Sequence, residues 1–269
     1  MTSALPNEAL ASIEADPSKS AVLLDIDGTL APIVENAVDA RVPEPTRQLL
    51  VALARGYGLV GCISGRRASD ARAMVAIGAI PYVGSHGAEL LRTGWTESEV
   101  NPALQDWQAR ITAFRREFQK PDEHRNLIRI EDKGPILGFH WRGSNDEQSA
   151  REAVDSIAAH AVSRGFDVHW GRKVMEVRPP VNFGKGNGVQ ALLEGKSWNT
   201  VLYAGDDVTD LDAFHVLRKL HEQGEVEHVV CVGVRSEDGP PQIIDEADLV
   251  VDGTDGVKEL LTVLADALP

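Results

Sequence analysis

Two aspartates spaced one residue apart follow a short apolar run near the start of the chain. The run Ala21–Leu24 leads to Asp25 and Asp27, with Gly28 and Thr29 directly after them. Because residues i and i+2 share a face of a strand, both carboxylates are expected to converge just beyond the end of a buried strand. Removing two like charges from water is costly unless a cation is present, so a divalent metal is the expected partner. The backbone N–H groups of Gly28 and Thr29 would then face an anion, which suits phosphoryl transfer. The alternative is a strand followed by an ordinary Asp-rich turn.

A hydroxyl residue stands at the end of a second apolar run. Ser64, Gly65 and Arg66 follow the predicted strand Leu59–Ile63. The serine hydroxyl can donate to a phosphate oxygen, or it can cap a helix over Arg67–Val75. Both roles can coexist, because helix N-termini bind anions.

A lysine lies among glycines in the last third of the chain. Lys185 belongs to the segment Asn182–Gly188, which is predicted as a loop before a helix over Val189–Glu194. Such a lysine is accessible and could neutralise a phosphate or a phosphorylated acid. The alternative is a solvated surface lysine, since this motif is weak by itself.

A second acidic group follows another predicted strand, Val201–Ala204. Asp206, Asp207 and Asp210 place three carboxylates within five residues. Together with the aspartate pair after the first strand, they would repel one another strongly without a cation. A hard divalent ion with oxygen ligands resolves this, and the expected ion is Mg²⁺. The alternative is helix capping by Asp207, with Asp210 favouring the positive end of the helix dipole.

Length and charge limit the classes of function. The chain has 269 residues, enough for one large domain or two smaller ones, and its 43% hydrophobic and 25% charged content is typical of a globular protein. Its 27 basic and 41 acidic residues give a net charge of −14. This disfavours nucleic acid and anionic membranes as partners. The expected partner is a small molecule, and the expected state is a monomer.

The composition also predicts a cytoplasmic location. No run approaches the roughly 20 apolar residues that span a bilayer. The segment Met1–Ser20 lacks the basic-then-apolar order of a signal peptide. Cys62 and Cys231 both lie in apolar stretches, which favours buried reduced thiols.

The apolar runs and the helical patterns alternate along most of the chain. Such short, fully apolar strands predict a parallel sheet covered by helices on both faces. In these folds ligands bind at the carboxyl ends of the strands, where the aspartates stand. The predicted strands are Ala21–Leu24, Leu59–Ile63, Val201–Ala204, Val229–Val234 and Leu249–Val251, and the predicted helices include Pro45–Arg55, Asp210–Leu220 and Val257–Ala267.

The middle of the chain, about residues 100 to 180, has a different pattern. Two hairpins alternate with two helices, which predicts an α+β module inserted into an α/β domain. Alternation along its strands predicts that Ile128, Ile130, Leu137, Phe139 and Trp141 pack on the helices. The opposite face is either solvated or lines a hydrophilic substrate pocket, and it would carry Arg129, Glu131, His140, Arg142, Glu176 and Arg178.

Taken in order, these pieces resemble the four motifs of the haloacid-dehalogenase-like (HAD) phosphohydrolases, with an insertion similar to a type C2 cap. Within that superfamily the chain resembles the trehalose-6-phosphate phosphatases. The resemblance implies a Rossmann-like core over residues 1–100 and 180–269 and a cap over residues 101–179 that determines substrate specificity. The matching stretches are DIDGTLAPI, ISGR, GSHGAELL, IEDKG, VMEVRPP, GKGNGVQALL and YAGDDVTDLDAF.

The resemblance also implies roles for individual residues. Asp25 would be the nucleophile and Asp27 the general acid and then base, while Ser64 and Lys185 would hold the phosphoryl oxygens. Mg²⁺ would be bound by Asp25, the Asp27 carbonyl and Asp206, with Asp207, and beyond it Asp210, in supporting positions. The residues expected to contact substrate are Gly28, Thr29, Gly65, Arg66 and His86 in the core and Glu131, Lys133, Arg142, Arg172 and Glu176 in the cap.

The activity that these expectations describe is hydrolysis of trehalose 6-phosphate to trehalose and phosphate through an aspartyl-phosphate. An alternative is the same reaction on a different substrate, a phosphate ester of the sucrose-phosphate or mannosyl-phosphoglycerate type. A phosphosugar mutase and a sensor on an inactive scaffold are further alternatives.

Overall fold

The structure, a computed structural model, describes residues 7–34, 39–118, 127–171, 173–237 and 239–269. The chain divides into two compact units. One comprises Met1–Glu99 together with Phe183–Pro269, and the other comprises Val100–Asn182. Among the described residues, no helix combines the length and apolar content needed to cross a bilayer.

The two units together contain the following strands and helices in their described residues. The strands are β1 (Ser20–Leu24), β2 (Leu59–Ile63), β3 (Tyr82–Gly84), β4 (Glu89–Leu91), β5 (Glu99–Val100), β6 (Arg129–Asp132), β7 (Leu137–His140), β8 (Asp167–Gly171), β9 (Val174–Arg178), β10 (Trp198–Gly205), β11 (Val226–Arg235) and β12 (Leu249–Asp252). The helices are α1 (Asn7–Ala15), α2 (Glu44–Gly56), α3 (Ala68–Val75), α4 (Gln105–Glu117), α5 (Glu147–Ser163), α6 (Lys185–Leu193), α7 (Val208–Glu222), α8 (Pro241–Asp245) and α9 (Gly253–Asp266).

An eight-stranded sheet forms the centre of the first unit, in the order β12-β11-β10-β1-β2-β3-β4-β5. The strands from β12 to β3 run parallel, and β4 is antiparallel to β3. Val22 and Leu24 pack on one side with α1, α2, α3 and α9, whereas Ala21 and Leu23 pack on the other side with α6, α7 and α8. Both faces are covered, which explains why β1 is apolar from Ala21 to Leu24. The predicted α/β class with a parallel sheet is confirmed.

The second unit is an antiparallel four-stranded sheet, in the order β6-β7-β9-β8. Apolar side chains from one face of this sheet pack on α4 and α5, as the alternation predicted. The inserted α+β module is therefore confirmed. The polar side chains of β6, β7 and β9 bond to one another on the other face.

The Gly-rich segment before β10 differs from its prediction as a loop. Its residues from Lys185 to Gly188 form the first turn of α6, which begins at Lys185. A Cβ on Gly186 would lie 2.4 Å from Val216, and a Cβ on Gly188 would lie 2.5 Å from Val83. The glycines therefore let this helix pack closely on its neighbours, a constraint that local sequence does not reveal.

Candidate active site

Two of the predicted aspartates follow adjacent strands of the large sheet. Asp25 comes directly after β1 and Asp206 directly after β10, and the Asp25 N–H donates to the Ala204 carbonyl at 2.9 Å. One carboxylate oxygen from each of Asp25, Asp206 and Asp210 lies within 4.8 Å of the others, and all three residues are buried. Parallel pairing thus assembles an acidic cluster from residues about 180 positions apart in sequence.

The turn after Asp25 packs against Asp206. Gly28 has a positive φ of 84°, and a Cβ there would lie 2.0 Å from the Asp206 Oδ2 atom. The Thr29 hydroxyl donates to Asp206 Oδ1 at 3.4 Å. The expectation that the two N–H groups face an anion is wrong, because Gly28 N–H donates to the Ala31 carbonyl at 2.8 Å and Thr29 N–H to that of Ile26 at 3.3 Å. The tight turn uses both donors itself.

Lys185 is buried within the acidic cluster rather than solvated, with an exposed fraction of 3%. Its Nζ donates to Asp25 Oδ1 at 2.8 Å and to Asp210 Oδ1 at 2.7 Å. Burial alone would lower the pKa of this ammonium, but the two carboxylates outweigh burial and raise it. The lysine therefore stays charged and orients one oxygen of Asp25.

Asp210 is held by four donors. Lys185 Nζ and the Tyr203 hydroxyl, at 2.5 Å, bond to Oδ1, while the N–H groups of Asp206 and Asp207 donate to Oδ2 at 3.2 and 3.0 Å. A carboxylate has about four lone-pair sites, so this side chain is saturated. Asp25 and Asp206 are the members of the cluster with oxygen positions left for a further ligand.

The cluster carries more negative charge than its lysine can offset. Burial raises the pKa of Asp25 well above its usual range, with Asp210 and Asp206 adding repulsion and Lys185 opposing both. Burial, again with repulsion from Asp210, raises the pKa of Asp206 to about 7. Three buried carboxylates against one ammonium fit a bound cation with oxygen ligands. The cluster is therefore compatible with a metal site.

Asp27 makes a two-point ion pair beside the cluster. The Arg66 guanidinium contacts its carboxylate through Nε–Oδ2 and Nη2–Oδ1, both at 2.7 Å. Ser64 is buried, and its Oγ accepts from the Arg66 N–H at 3.2 Å. The structure thus brings the ISGR stretch next to the β1 aspartates, as the parallel pairing of β1 with β2 requires.

Asp207 lies outside the three-carboxylate cluster. Its exposed carboxylate caps α7 by accepting from the Val208 N–H at 2.6 Å. The capping alternative therefore holds for Asp207, while Asp210 both caps the helix and belongs to the cluster. A metal-supporting role for Asp207 stays a prediction.

His86 lies against the ISGR stretch. A Cβ on Gly65 would come within 2.6 Å of the His86 Nε2 atom, so glycine makes room for the imidazole. His86 has a positive φ of 56° and its N–H donates to the Ser64 carbonyl at 3.0 Å. This contact joins two of the sequence stretches that carry the family resemblance.

The predicted sugar-contacting residues form a polar network in the second unit. Lys133 Nζ contacts Glu176 Oε1 at 2.8 Å, and His140 Nε2 contacts Glu131 Oε2 at 2.7 Å. The His140 hydrogen bond lowers the pKa of Glu131, with Lys133 acting in the same direction against burial. Arg142 is exposed. Arg172 lies outside the described residues.

Sequence reasoning missed Tyr203 and Glu89 as members of the site region. Tyr203 reads as one more apolar strand residue, although a buried phenol needs a hydrogen-bond partner. Glu89 stands before two leucines in a short strand, and a carboxylate in such an apolar context is the signal that was available.

Comparison with known proteins adds independent information. A family model described as "Trehalose-phosphatase" matches residues 23–240. The chain is 32% identical over 224 residues to a probable trehalose-phosphate phosphatase D of Arabidopsis thaliana. This match covers 76% of the chain and 59% of the Arabidopsis protein. The chain is also 30% identical over 228 residues to a trehalose-phosphate phosphatase of Mycobacterium avium, and this match covers 81% of the chain and 56% of the Mycobacterium avium protein. The chain thus spans little more than half the length of these relatives.

Among solved structures, the fold is similar to that of the C-terminal domain of a C. albicans trehalose-6-phosphate phosphatase. The TM-score is 0.74 at 21% identity, and the match covers 100% of both chains. This likeness concerns the fold.

Proposed function

Because the chain belongs to the trehalose-phosphatase family, as its motifs indicated, we propose that it hydrolyses trehalose 6-phosphate to trehalose and phosphate. One observation carries the chemistry. The buried Lys185 ammonium contacts the Asp25 carboxylate inside a cluster of acids, so it orients one Asp25 oxygen and places a positive charge beside it.

The proposed cofactor is Mg²⁺, held by the side chains of Asp25 and Asp206. Hard oxygen donors suit this ion. Burial and the neighbouring carboxylates raise the pKa of both carboxyls, which indicates that Lys185 does not offset all of the negative charge. When bound, the ion would supply charge that stabilises the transferring phosphoryl group. Asp210 would hold Lys185 and the turn around Asp206 in place.

In the first proposed step, an Asp25 carboxylate oxygen attacks phosphorus and the bond to the sugar oxygen breaks. Lys185 neutralises part of the charge between the carboxylate and the phosphate, and the buried Ser64 hydroxyl donates to a phosphoryl oxygen. Asp27 gives its proton to the departing sugar oxygen. The products of this step are free sugar and an aspartyl-phosphate.

In the second step, Asp27 accepts a proton from a water molecule that attacks the same phosphorus, which releases phosphate and restores Asp25. In the structure, both carboxylate oxygens of Asp27 accept hydrogen bonds from the Arg66 guanidinium. The Arg66–Asp27 pair must therefore separate before Asp27 can act as an acid. We propose that the substrate phosphate separates this pair, because it attracts the Arg66 guanidinium in competition with Asp27.

Phosphate release from a panel of sugar phosphates tests the substrate. The panel should hold trehalose, sucrose, glucose and mannose phosphates together with mannosyl-phosphoglycerate. We expect trehalose 6-phosphate to have the highest kcat/KM, and a preference of about tenfold or more for another ester would discard this assignment. A phosphorylated product would indicate a mutase.

The sugar contacts of the second unit are part of the same proposal. Glu131, Lys133 and Glu176 match the family pattern and offer both donors and acceptors for hydroxyl groups. Arg142 and Arg172 are proposed as additional contacts. A cytoplasmic, monomeric enzyme is proposed from the composition, and light scattering of the purified protein tests the monomer.

The stabilisation by Mg²⁺ should increase with pH. The folded-state pKa of Asp206 is about 7 against an ordinary value of 3.8, so the metal-free protein loses stability as pH rises through this window. Because a bound cation requires the ionised form, we expect a larger Mg²⁺-induced rise in Tm at about pH 8 than at about pH 5.5.

Thermal unfolding with and without the ion at both pH values measures this difference. Asp206→Asn removes a proposed Mg²⁺ ligand together with its titrating group, so it should reduce the Mg²⁺-induced rise in Tm at both pH values. An equal rise in Tm at both pH values would contradict the assignment of Asp206 to the metal site.

A further inference from the structure

Glu89 is a buried acid with no role in the chemistry described so far. It opens β4, where Leu90 and Leu91 follow it, and 9% of its surface is exposed. Its Oε1 atom accepts from the Ala68 N–H at 2.8 Å and from the Ser85 hydroxyl at 3.2 Å. A carboxylate in this position is stabilised only by such donors.

The first of these bonds fixes the start of α3. Its N-cap residue, Arg67, makes no side-chain capping bond. Glu89 accepts from the first N–H of the helix instead, and its negative charge favours the positive end of the helix dipole. α3 begins two residues after Arg66, so this bond fixes the chain just after the ISGR stretch.

The second bond holds a turn in an unfavourable conformation. Ser85 and His86 have φ values of 50° and 56°, and neither is glycine. Consecutive left-handed residues with side chains cost free energy and persist only when their surroundings hold them. The hydrogen bond from the Ser85 hydroxyl to Glu89 is one such restraint.

The same turn bonds to the backbone of the ISGR stretch. Ser85 N–H donates to the Arg66 carbonyl at 2.7 Å, and His86 N–H donates to the Ser64 carbonyl at 3.0 Å. Glu89 therefore restrains this stretch from both sides, through α3 and through the turn. Ser64 and Arg66 are the residues whose side chains would contact the phosphate and Asp27.

We propose that Glu89 is a positioning residue that sets the geometry of the phosphate-binding stretch Ser64–Arg66. The inference rests on the proposed phosphatase function, because that function gives Ser64 its ligand. Loss of Glu89 should weaken the binding of phosphate and of any phosphate ester, independently of the sugar.

The test compares Glu89→Ala, Glu89→Gln and Leu91→Ala in the Mg²⁺-loaded protein. Leu91 is the matched control, because it is a buried β4 residue that packs in the apolar core and pairs with Tyr82 of β3. The measurements are the Kd of inorganic phosphate by calorimetry and the KM for p-nitrophenyl phosphate and for trehalose 6-phosphate. Thermal unfolding of each variant separates loss of stability from loss of binding.

Glu89→Ala should raise the phosphate Kd and both KM values by about tenfold. Glu89→Gln should stay within about threefold of the wild type, because its amide oxygen still accepts both hydrogen bonds. Leu91→Ala should lower Tm and leave the binding constants unchanged. If Glu89→Ala does not fold, Ser85→Ala removes one of the two bonds and should raise the same constants by about threefold.

The proposal is overturned if Glu89→Ala, or Ser85→Ala in its place, binds phosphate as the wild type does. It is also overturned if Leu91→Ala weakens phosphate binding to the same degree. A wild-type protein that neither binds phosphate nor hydrolyses either ester would overturn the proposed function itself. If the wild type hydrolyses only p-nitrophenyl phosphate, the sugar assignment fails and the Glu89 comparison still decides this inference.

Discussion

Asp25→Asn should lower kcat for phosphate-ester hydrolysis by about four orders of magnitude or more. The asparagine fills the same space but carries no negative charge, so it cannot attack phosphorus to form an aspartyl-phosphate. Steady-state release of phosphate measures the loss. Rapid acid quenching of the wild type should trap a phosphorylated protein, and the variant should yield none.

The stability of the same variant separates lost chemistry from lost folding. Burial raises the pKa of Asp25 and two nearby carboxylates add to the rise, so the ionised form is unfavourable in the metal-free protein. Replacing it with a neutral side chain should leave the metal-free Tm unchanged or higher at neutral pH. Near-native activity in the folded variant would show that another residue is the nucleophile.

The acidic part of the site could be predicted because it depends on strand ends. Apolar runs before Asp25 and Asp206 indicate buried parallel strands, and the carboxyl ends of such strands meet at one edge of the sheet. The structure brings these two side chains together, as that rule requires. The resemblance of all four motifs to those of one family then indicated that Ser64 and Lys185 belong to the same site.

Lys185 shows where sequence reasoning stopped. Its flanking glycines suggested an exposed loop, yet they allow α6 to pack closely on Val83 and Val216. Packing of this kind depends on residues far away in the chain, so local composition cannot reveal that the lysine is buried. Glu89 was missed because the Ala68 N–H that it accepts from lies in a different sequence motif. Tyr203 was missed because it stands in an apolar strand, although its partner Asp210 is near in sequence.

The site is also an exception to the rule that the residue at each position stabilises the folded state. Asp25, Asp206 and Asp210 form a buried cluster of like charge that Lys185 offsets only in part. Such a cluster costs stability in the metal-free protein and is compatible with a cation site. We infer that ligand binding, rather than folding, accounts for this arrangement.

Lys185→Met tests the charge balance of this cluster by removing the positive charge of the lysine. The thioether chain is similar in length but carries no charge, so Asp25 and Asp210 would keep their burial and lose their shared partner. Removing one partner of a buried ion pair costs about 3–5 kcal/mol of unfolding free energy. The variant should also lose about three orders of magnitude in kcat, because no ammonium then opposes repulsion between Asp25 and the phosphate. Urea unfolding and steady-state kinetics measure the two losses.

Lys258→Met, on the exposed side of α9, is the matched control and should change neither quantity. Asp25→Asn and Lys185→Met should thus both lose activity, but only Lys185→Met should lose stability in the metal-free protein. Removing an acid relieves repulsion in the cluster, whereas removing the lysine increases it. Mg²⁺ should therefore restore part of the stability of Lys185→Met without restoring its activity, since the ion offsets the charge of the cluster but cannot replace the ammonium at Asp25 Oδ1. A Lys185→Met protein as stable and as active as Lys258→Met would mean that the lysine is not the charge partner of these carboxylates.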